Sequence, residues 1–350
     1  MTVTLQEFIE VLADSPAIFI TTILVLAVVF VNGWTDAPNA IATAISTRTI
    51  EPQKAIYLAT LFNFLGVFIM TAINADVAET IFNMVDFNGN MHEAAIALCA
   101  AQVSIVIWAT GAWYFGIPTS ESHALIAGLS GSAIALHGGL SGINGGEWMK
   151  NIYGLFLSTF LGFAMGYVVV GIIKRIFVNT DRRKSKDFFK KGQVVSAAAM
   201  AFMHGAQDGQ KFMGVFMLAF GLVSGMGASG HFVVPTWLMI MVSIVIGFGT
   251  SCGGLRIIKS VGINMVKLET YEGFAADIGA AVSLLAASLT GIPISTTHTK
   301  TTAIMGVGAS KHLKNVNWGL VGEMVLAWLL TFPGCGLIGY AVTYVFIRIF

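Results

Sequence analysis

Apolar positions along the chain gather into long unbroken runs separated by short polar stretches, not into the one-sided faces of a water-soluble core. About 20 apolar residues carry a helix across a bilayer. Runs of that length or near it are Ala17–Val31 continuing brokenly to Thr47, Ala55–Ile73, Ala94–Phe115, Ser120–Leu136 and Ile152–Phe177. A basic stretch follows, Lys174-Arg175 and then Asp181 to Lys191, which reads as a solvated linker. The pattern restarts with Val194–Met203, broken and resumed to Ser224, then Phe232–Gly249, Phe274–Leu289, Thr296–Val307, and Trp318–Phe350 with an interruption at Pro333-Gly334. In hydrocarbon every backbone polar group must be satisfied within its own segment, so these runs predict an all-α polytopic membrane protein.

Composition agrees. Of 350 residues 56% are hydrophobic and 11% charged, where a soluble domain carries about 25% charged residues. The mean hydropathy of +0.79 leaves no soluble domain once the apolar runs are removed. A net charge of +1 is segregated by loop and gives no reason to expect a nucleic-acid partner. Met1–Ser15 carries Glu7, Glu10 and Asp14 but no Lys or Arg, so it lacks the basic head of a cleaved signal peptide. Cys99, Cys252 and Cys335 stand singly, without metal-type spacing, and read as core packing. No cofactor is expected.

The restart is an internal repeat. Gly116-Ile-Pro-Thr-Ser-Glu-Ser-His123 matches Gly291-Ile-Pro-Ile-Ser-Thr-Thr-His298 at one fixed offset, and Ala100-Ala-Gln102 matches Ala275-Ala-Asp277 at the same offset. Asn32-Gly-Trp-Thr-Asp-Ala-Pro-Asn-Ala40 has its twin in His204-Gly-Ala-Gln-Asp-Gly-Gln-Lys211, in register at Asp36 and Asp208. Lys and Arg in short loops mark the cytoplasmic side. Arg48 and Lys54 follow the first broken run, whereas the equivalent loop Gly221–His231 has neither. Conversely Asn74–Glu93 is acidic, while its counterpart Ser251–Gly273 carries Arg256, Lys259 and Lys267. The bias flips between halves, as an inverted-topology repeat requires; Lys150, in Leu136–Asn151, is the one exception. The expected organisation is a first transmembrane repeat over 1–177, a basic cytoplasmic linker over 178–192 and a second, inverted repeat over 193–350, with broken helices, half-helix or re-entrant hairpins and both termini extracellular.

Such repeats place substrate at the bilayer midplane between discontinuous helices. Both polar runs, with Thr35, Asp36 and Asn39 in one and Gln207, Asp208 and Lys211 in the other, read as helix breaks inside apolar segments. An aspartate at that depth costs about 2.5–3.5 kcal/mol on insertion scales, so two in equivalent places mark a site. Pro118 and Pro293 are followed by Thr119, Ser120 and Ser122, and by Ser295, Thr296 and Thr297. Proline and hydroxyls at a helix start leave N–H groups and partial positive charge to receive an oxyanion. Asp36 and Asp208, with Gln102 and Asp277 at equivalent points on two further helices, predict a hard-cation site for Na⁺ or H⁺; no other metal is expected. Asp277 has an alternative reading as an ion-pair partner of Lys300, and Lys211 either neutralises an aspartate or touches the anion. His123 and His298 occupy equivalent places and read as interior histidines rather than a zinc pair. His204 and Glu121 have no twin and receive no role from the pattern.

One charge crossing 100 mV is worth about 2.3 kcal/mol, so a dianion entering a negative interior meets roughly 4.6 kcal/mol, about a thousandfold, and needs escorting positive charge. At these residues the sequence resembles the inorganic phosphate transporter (PiT) family. The family's duplicated Gly-Ala-Asn-Asp signature is similar to the two aspartate runs, and its Pro-x-Ser-x-x-His motif to Pro118–His123 and Pro293–His298. The likeness covers nearly the whole chain. It implies a transporter rather than an enzyme, in the cytoplasmic membrane, importing phosphate by Na⁺- or H⁺-coupled symport with alternating access, usually as a homodimer. It makes Asp36, Asp208, Ser120, Ser295 and the neighbouring hydroxyls ligands of phosphate or cation. Thr35 and Gln207 replace the signature asparagines, Asn63 stands where an acid is common, and Glu121 where a small residue is usual. The alternatives are a permease for another tetrahedral oxyanion such as sulfate, or an anion channel. A hydrolase is disfavoured because no nucleophile–base arrangement is legible.

Overall fold

Each apolar run forms a helix whose ends follow from the residues that bound it. The computed structural model describes residues 4–87, 91–224 and 233–350. The first half holds α1 (Leu5–Asp14), α2 (Pro16–Thr35), α3 (Ala42–Ser46), α4 (Pro52–Ile73), α5 (Asp76–Phe82), α6 (Met91–Phe115), α7 (Glu121–His137) and α8 (Gly145–Ile176). The second holds α9 (Arg182–Ser224), α10 (Thr236–Ser251), α11 (Leu255–Lys259), α12 (Thr270–Leu289), α13 (Thr296–Ala309) and α14 (Trp318–Ile349). Pro16 and Pro52 open α2 and α4, positions where a missing N–H costs nothing. Asn144 and Asn317, in corresponding places of the two halves, cap α8 and α14 through their side-chain oxygens. Among the described residues six helices are long and apolar enough to cross a membrane, and α10 with the segment after it, bent by 67°, makes a seventh.

Three expectations change. The second aspartate run does not break its helix: α9 is continuous through His204–Lys211. Only the first run breaks, α2 ending at Thr35 and giving way to a 3₁₀ turn over Ala37–Ile41. The physical difference is Pro38, which withholds an N–H and crowds the preceding turn; the second run has glycines but no proline. Likewise Pro333 lies inside an uninterrupted α14, since a transmembrane helix tolerates proline where neighbours support it. Finally, the basic stretch is helical, because α9 begins at Arg182. The uncharged loop Gly221–His231 falls largely outside the described residues, as do positions 1–3 and 88–90.

Helix lengths place α7 and α13 apart from the rest. At about 1.5 Å per residue their 17 and 14 residues are shorter than a bilayer's ~30 Å hydrocarbon core. Both are buried around nearly their whole circumference, and each starts inside the protein.

The outer helices are inside-out relative to a soluble protein. On α8 a row of small or slim residues, Gly154, Ser158, Gly162, Gly166 and Val170, faces inward, while Tyr153, Phe156, Phe160 and Ile172 face out. Small-residue stripes let membrane helices approach closely. The pairings repeat with the halves exchanged: α2 packs on α10 and α9 on α4, α6 on α14 and α12 on α8, α7 on α14 and α13 on α8. The correspondence reaches single atoms. A Cβ added to Gly33 would collide with the Ile246 carbonyl oxygen, and one added to Gly205, its equivalent in the second half, with that of Asn63.

Candidate functional site

The site grows from four short pieces of backbone. Asp36 terminates α2, and the turn after it carries Asn39 back beneath the carboxylate. Asp208 projects from the middle of α9, with His204 one turn before it and Lys211 one turn after. Two helix starts complete the cell. Gly116 and Gly291 have φ of +70° and +66°, a region glycine enters without penalty. Each reverses the chain ahead of a proline, and Ser120 and Ser295 then cap α7 and α13 by accepting from the backbone N–H of His123 and His298 at 3.3 and 3.1 Å. That leaves the backbone N–H groups of Glu121, Ser122, Thr296 and Thr297 without intrahelical acceptors.

The first turns of these two helices touch both aspartates. Thr296 Oγ1 donates to Asp36 Oδ2 at 3.4 Å and to Asp208 Oδ2 at 3.3 Å, bridging the carboxylates. Thr297 donates to Asp36. Asn39 Nδ2 donates to Asp36 Oδ1 at 2.6 Å and to Thr297 Oγ1 at 3.4 Å. On the other side Lys211 Nζ donates to Asp208 Oδ1 at 2.8 Å, Ser122 Oγ at 2.7 Å and the Ile294 carbonyl at 2.7 Å. Ser122 Oγ also lies 3.4 Å from Asp208 Oδ1, and Asn32 Nδ2 donates to Asp208 Oδ2 at 3.1 Å. The cell is closed: Asp36 is 2% exposed, Asp208 and Lys211 1% each.

Other expected ligands are placed differently. Thr35 donates to Glu121 and to the Val31 carbonyl, and Gln207 Nε2 donates to Ser288 Oγ at 2.9 Å. Ser120 and Ser295 serve their own helix starts, and Thr119 lies in the irregular stretch between Gly116 and α7. Gln102 and Asp277 do not join the cell. Asp277 pairs with Lys300 and accepts from Thr43 Oγ1 at 2.6 Å and Ser196 Oγ at 3.1 Å. Gln102 is fully buried, and both its amide atoms lack a hydrogen-bond partner among the described residues. The equivalence of the two positions in sequence is not one of environment. His123 and His298 meet edge to face, 4.5 Å between ring centres, where the tips of α7 and α13 come together.

The sequence pattern missed His204, Glu121, Asn32 and Asn63. His204 Nε2 lies 3.4 Å from Asp208 Oδ2 and 3.9 Å from Asp36 Oδ2, and one ligand atom from each of the three residues falls within 4.8 Å of the others. Its tautomer follows from the bonds behind it. Thr250 Oγ1 donates to the Ile246 carbonyl and therefore accepts from Asn63 Nδ2 at 3.1 Å, which turns Asn63 Oδ1 toward His204 Nδ1, also at 3.1 Å. Nδ1 carries the hydrogen. Nε2 then presents a lone pair to two carboxylates, an arrangement that a proton or cation between them relieves. The available signal was spacing: His204 lies four residues before Asp208, on the same helix face.

Two carboxyl groups, Asp36 and Asp208, thus share a buried cell with one lysine among the described residues, while the buried carboxyl of Glu121 bonds to Thr35. Unpaired charge is costly there. Carboxylates so placed can hold cations, and the hydroxyls and free amides of two helix starts can receive an anion.

The chain matches the phosphate transporter family over residues 32–188 and 179–339. A protein of Bacillus subtilis described as a probable low-affinity inorganic phosphate transporter is 35% identical, over 95% of this chain and 99% of its own. One of Rhizobium meliloti with the same description is 39% identical, over 88% and 90%. In fold the chain is similar to a solved structure described as the sodium-dependent phosphate transporter, with a TM-score of 0.86 at 23% identity, covering 96% of this chain and all of that one. A helical bundle with duplicated helix starts and matches of this extent lead to one conclusion: the chain belongs to the phosphate transporter family.

Proposed function

We propose that this protein imports inorganic phosphate across the cytoplasmic membrane by cation-coupled symport with alternating access. The observation that carries the reading is the charge imbalance of the closed cell, two carboxyls to one ammonium at the starts of α7 and α13. Cations enter to balance it, and once there they screen the carboxylates from an anion held by Thr296, Thr297, Ser122 and the free first-turn amides. Each ligand then favours the other's binding. Asp36 and Asp208 hold the cation in this scheme, with His204 beside both. The exchanged pairing of helices supports two inverted repeats that rock about the cell, which is closed to both sides in the form described. The description of the similar solved structure favours sodium as the escort.

The test is labelled phosphate uptake into proteoliposomes holding the purified protein, under a sodium gradient and a pH gradient imposed separately. Concentrative uptake driven by at least one gradient is expected, resistant to excess sulfate. Uptake indifferent to both gradients would indicate a channel, and equal inhibition by sulfate and phosphate a general oxyanion permease.

A further inference from the structure

The two halves build related cells around their aspartates, with Asn32 answering His204 and Glu121 answering Thr296, and the exchange that changes which cation is held is a third. Aligning Asp36 with Asp208 makes Asn39 and Lys211 equivalent, and aligning the two helix starts makes Ser122 and Thr297 equivalent. In the first-half cell the amide of Asn39 and the hydroxyl of Thr297 meet Asp36. In the second-half cell the ammonium of Lys211 and the hydroxyl of Ser122 meet Asp208.

Lys211 is not simply an ion-pair partner at a helix surface. Its nitrogen is caged by a carboxylate, a hydroxyl and a backbone carbonyl oxygen, at 2.8, 2.7 and 2.7 Å, which uses all three of its hydrogens. Carboxylate, hydroxyl and carbonyl oxygens are also the donors that hard cations take. The first-half cell has the same kinds of oxygen and, among the described residues, no lysine or arginine on Asp36. The amide oxygen of Asn39, whose Nδ2 donates to Asp36, is buried there without a hydrogen-bond partner among the described residues, beside the Asp36 carboxylate and the Thr297 hydroxyl. Those oxygens suit a cation that comes and goes.

We propose that Lys211 is a resident cation, occupying in the second half the place that an exchangeable monovalent cation takes at Asp36 in the first. Lys211 thereby sets the coupling stoichiometry, one escort fewer than two symmetric cells would carry. This rests on the cation-coupled reading above and adds to it which residue fixes the count. The chemistry of the exchange is simple. A tethered ammonium balances Asp208 throughout the cycle but cannot leave with substrate, so it contributes charge to binding and none to the driving force.

Lys211→Asn, which installs the residue found at position 39, tests this directly. In proteoliposomes with the potential clamped by potassium and valinomycin, the reversal potential of labelled phosphate flux gives the charge moved per phosphate. K211N is expected to move one more positive charge than the unaltered protein, with uptake one order steeper in sodium at fixed pH. K211R, which keeps the tethered charge, is expected to retain the original stoichiometry. If K211N inserts without transporting, radiolabelled sodium binding to the purified protein decides, and one additional saturable site supports the proposal. Should K211N not be recovered from the membrane, K211Q, with an amide one methylene longer, takes its place in both assays. Unchanged charge stoichiometry in a transporting K211N, an unchanged number of sodium sites in a silent one, or altered stoichiometry in K211R overturns it. Failure of the coupling reading looks different: unaltered protein indifferent to both gradients.

Discussion

Two buried cells of this protein contain an aspartate, a lysine and threonine hydroxyls, and they differ in one respect. In the cell of Asp277 the charges balance. Lys300 answers the carboxylate, Thr43 and Ser196 donate to its two oxygens, and Lys300 also donates to Thr43 Oγ1 at 3.1 Å. In the cell of Asp36 and Asp208 two carboxyls face one lysine. A balanced buried pair holds helices in register and needs nothing further, whereas an unbalanced one demands a partner from solution. The working site is therefore marked by the deficit, not by the presence of buried charge.

This contrast fixes the order of expected effects. Asp36→Asn removes the first-half cation ligand, a loss of about 3–5 kcal/mol and so more than a hundredfold in concentrative uptake; Asp208→Asn, which strands Lys211, is expected to match it. Transport assays on protein shown to be inserted check both, and wild-type accumulation in either removes the assignment. Asp277→Asn is expected to act on stability instead, costing about 3–5 kcal/mol because Lys300 is left uncompensated. The double change Asp277→Leu with Lys300→Leu should recover most of that loss and keep cation-driven uptake, as thermal unfolding in detergent and uptake together reveal. If the double variant folds but loses coupling, the balanced cell is part of the machinery and the contrast breaks.

Asn63→Ala frees the ring of His204 and should reduce uptake by roughly two- to tenfold, the worth of about 0.5–1.5 kcal/mol for a hydrogen bond between neutral groups. Asn63→Asp, which still accepts from Nδ1, should restore much of it. Smallest is Thr49→Val, away from both cells: it removes the bonds of Thr49 to Gln193 Oε1 at 2.9 Å and to Thr47 Oγ1 at 3.0 Å, for about 1 kcal/mol of stability and unchanged uptake.

Hydropathy made the long helices legible, and the two duplicated motifs pointed to the residues that meet in the cell: Asp36, Asn39, Ser122, Asp208, Lys211, Thr296 and Thr297. What escaped was environment. The likeness of the two aspartate runs suggested two breaks, but only the run with Pro38 lacks a backbone donor, so α9 passes straight through. Gln102 and Asp277 share a register, yet Asp277 has Lys300 at hand and Gln102 has no such partner among the described residues. His204 was overlooked because its twin is Asn32, a different residue type, and matching by identity discards such pairs. The same contrast, Asn39 against Lys211, carries the assignment of a resident cation.

Because α7 is seated on α14 and α13 on α8, neither short helix is enclosed by its neighbours in sequence alone. The order of synthesis then matters. α7 is complete long before Trp318–Ile349 exists to receive it, and Ser132, whose hydroxyl reaches the Gly339 carbonyl at 3.4 Å, has no such acceptor until that residue is made. α14, 32 residues long, thus acts as a closing clasp for a helix made well before it.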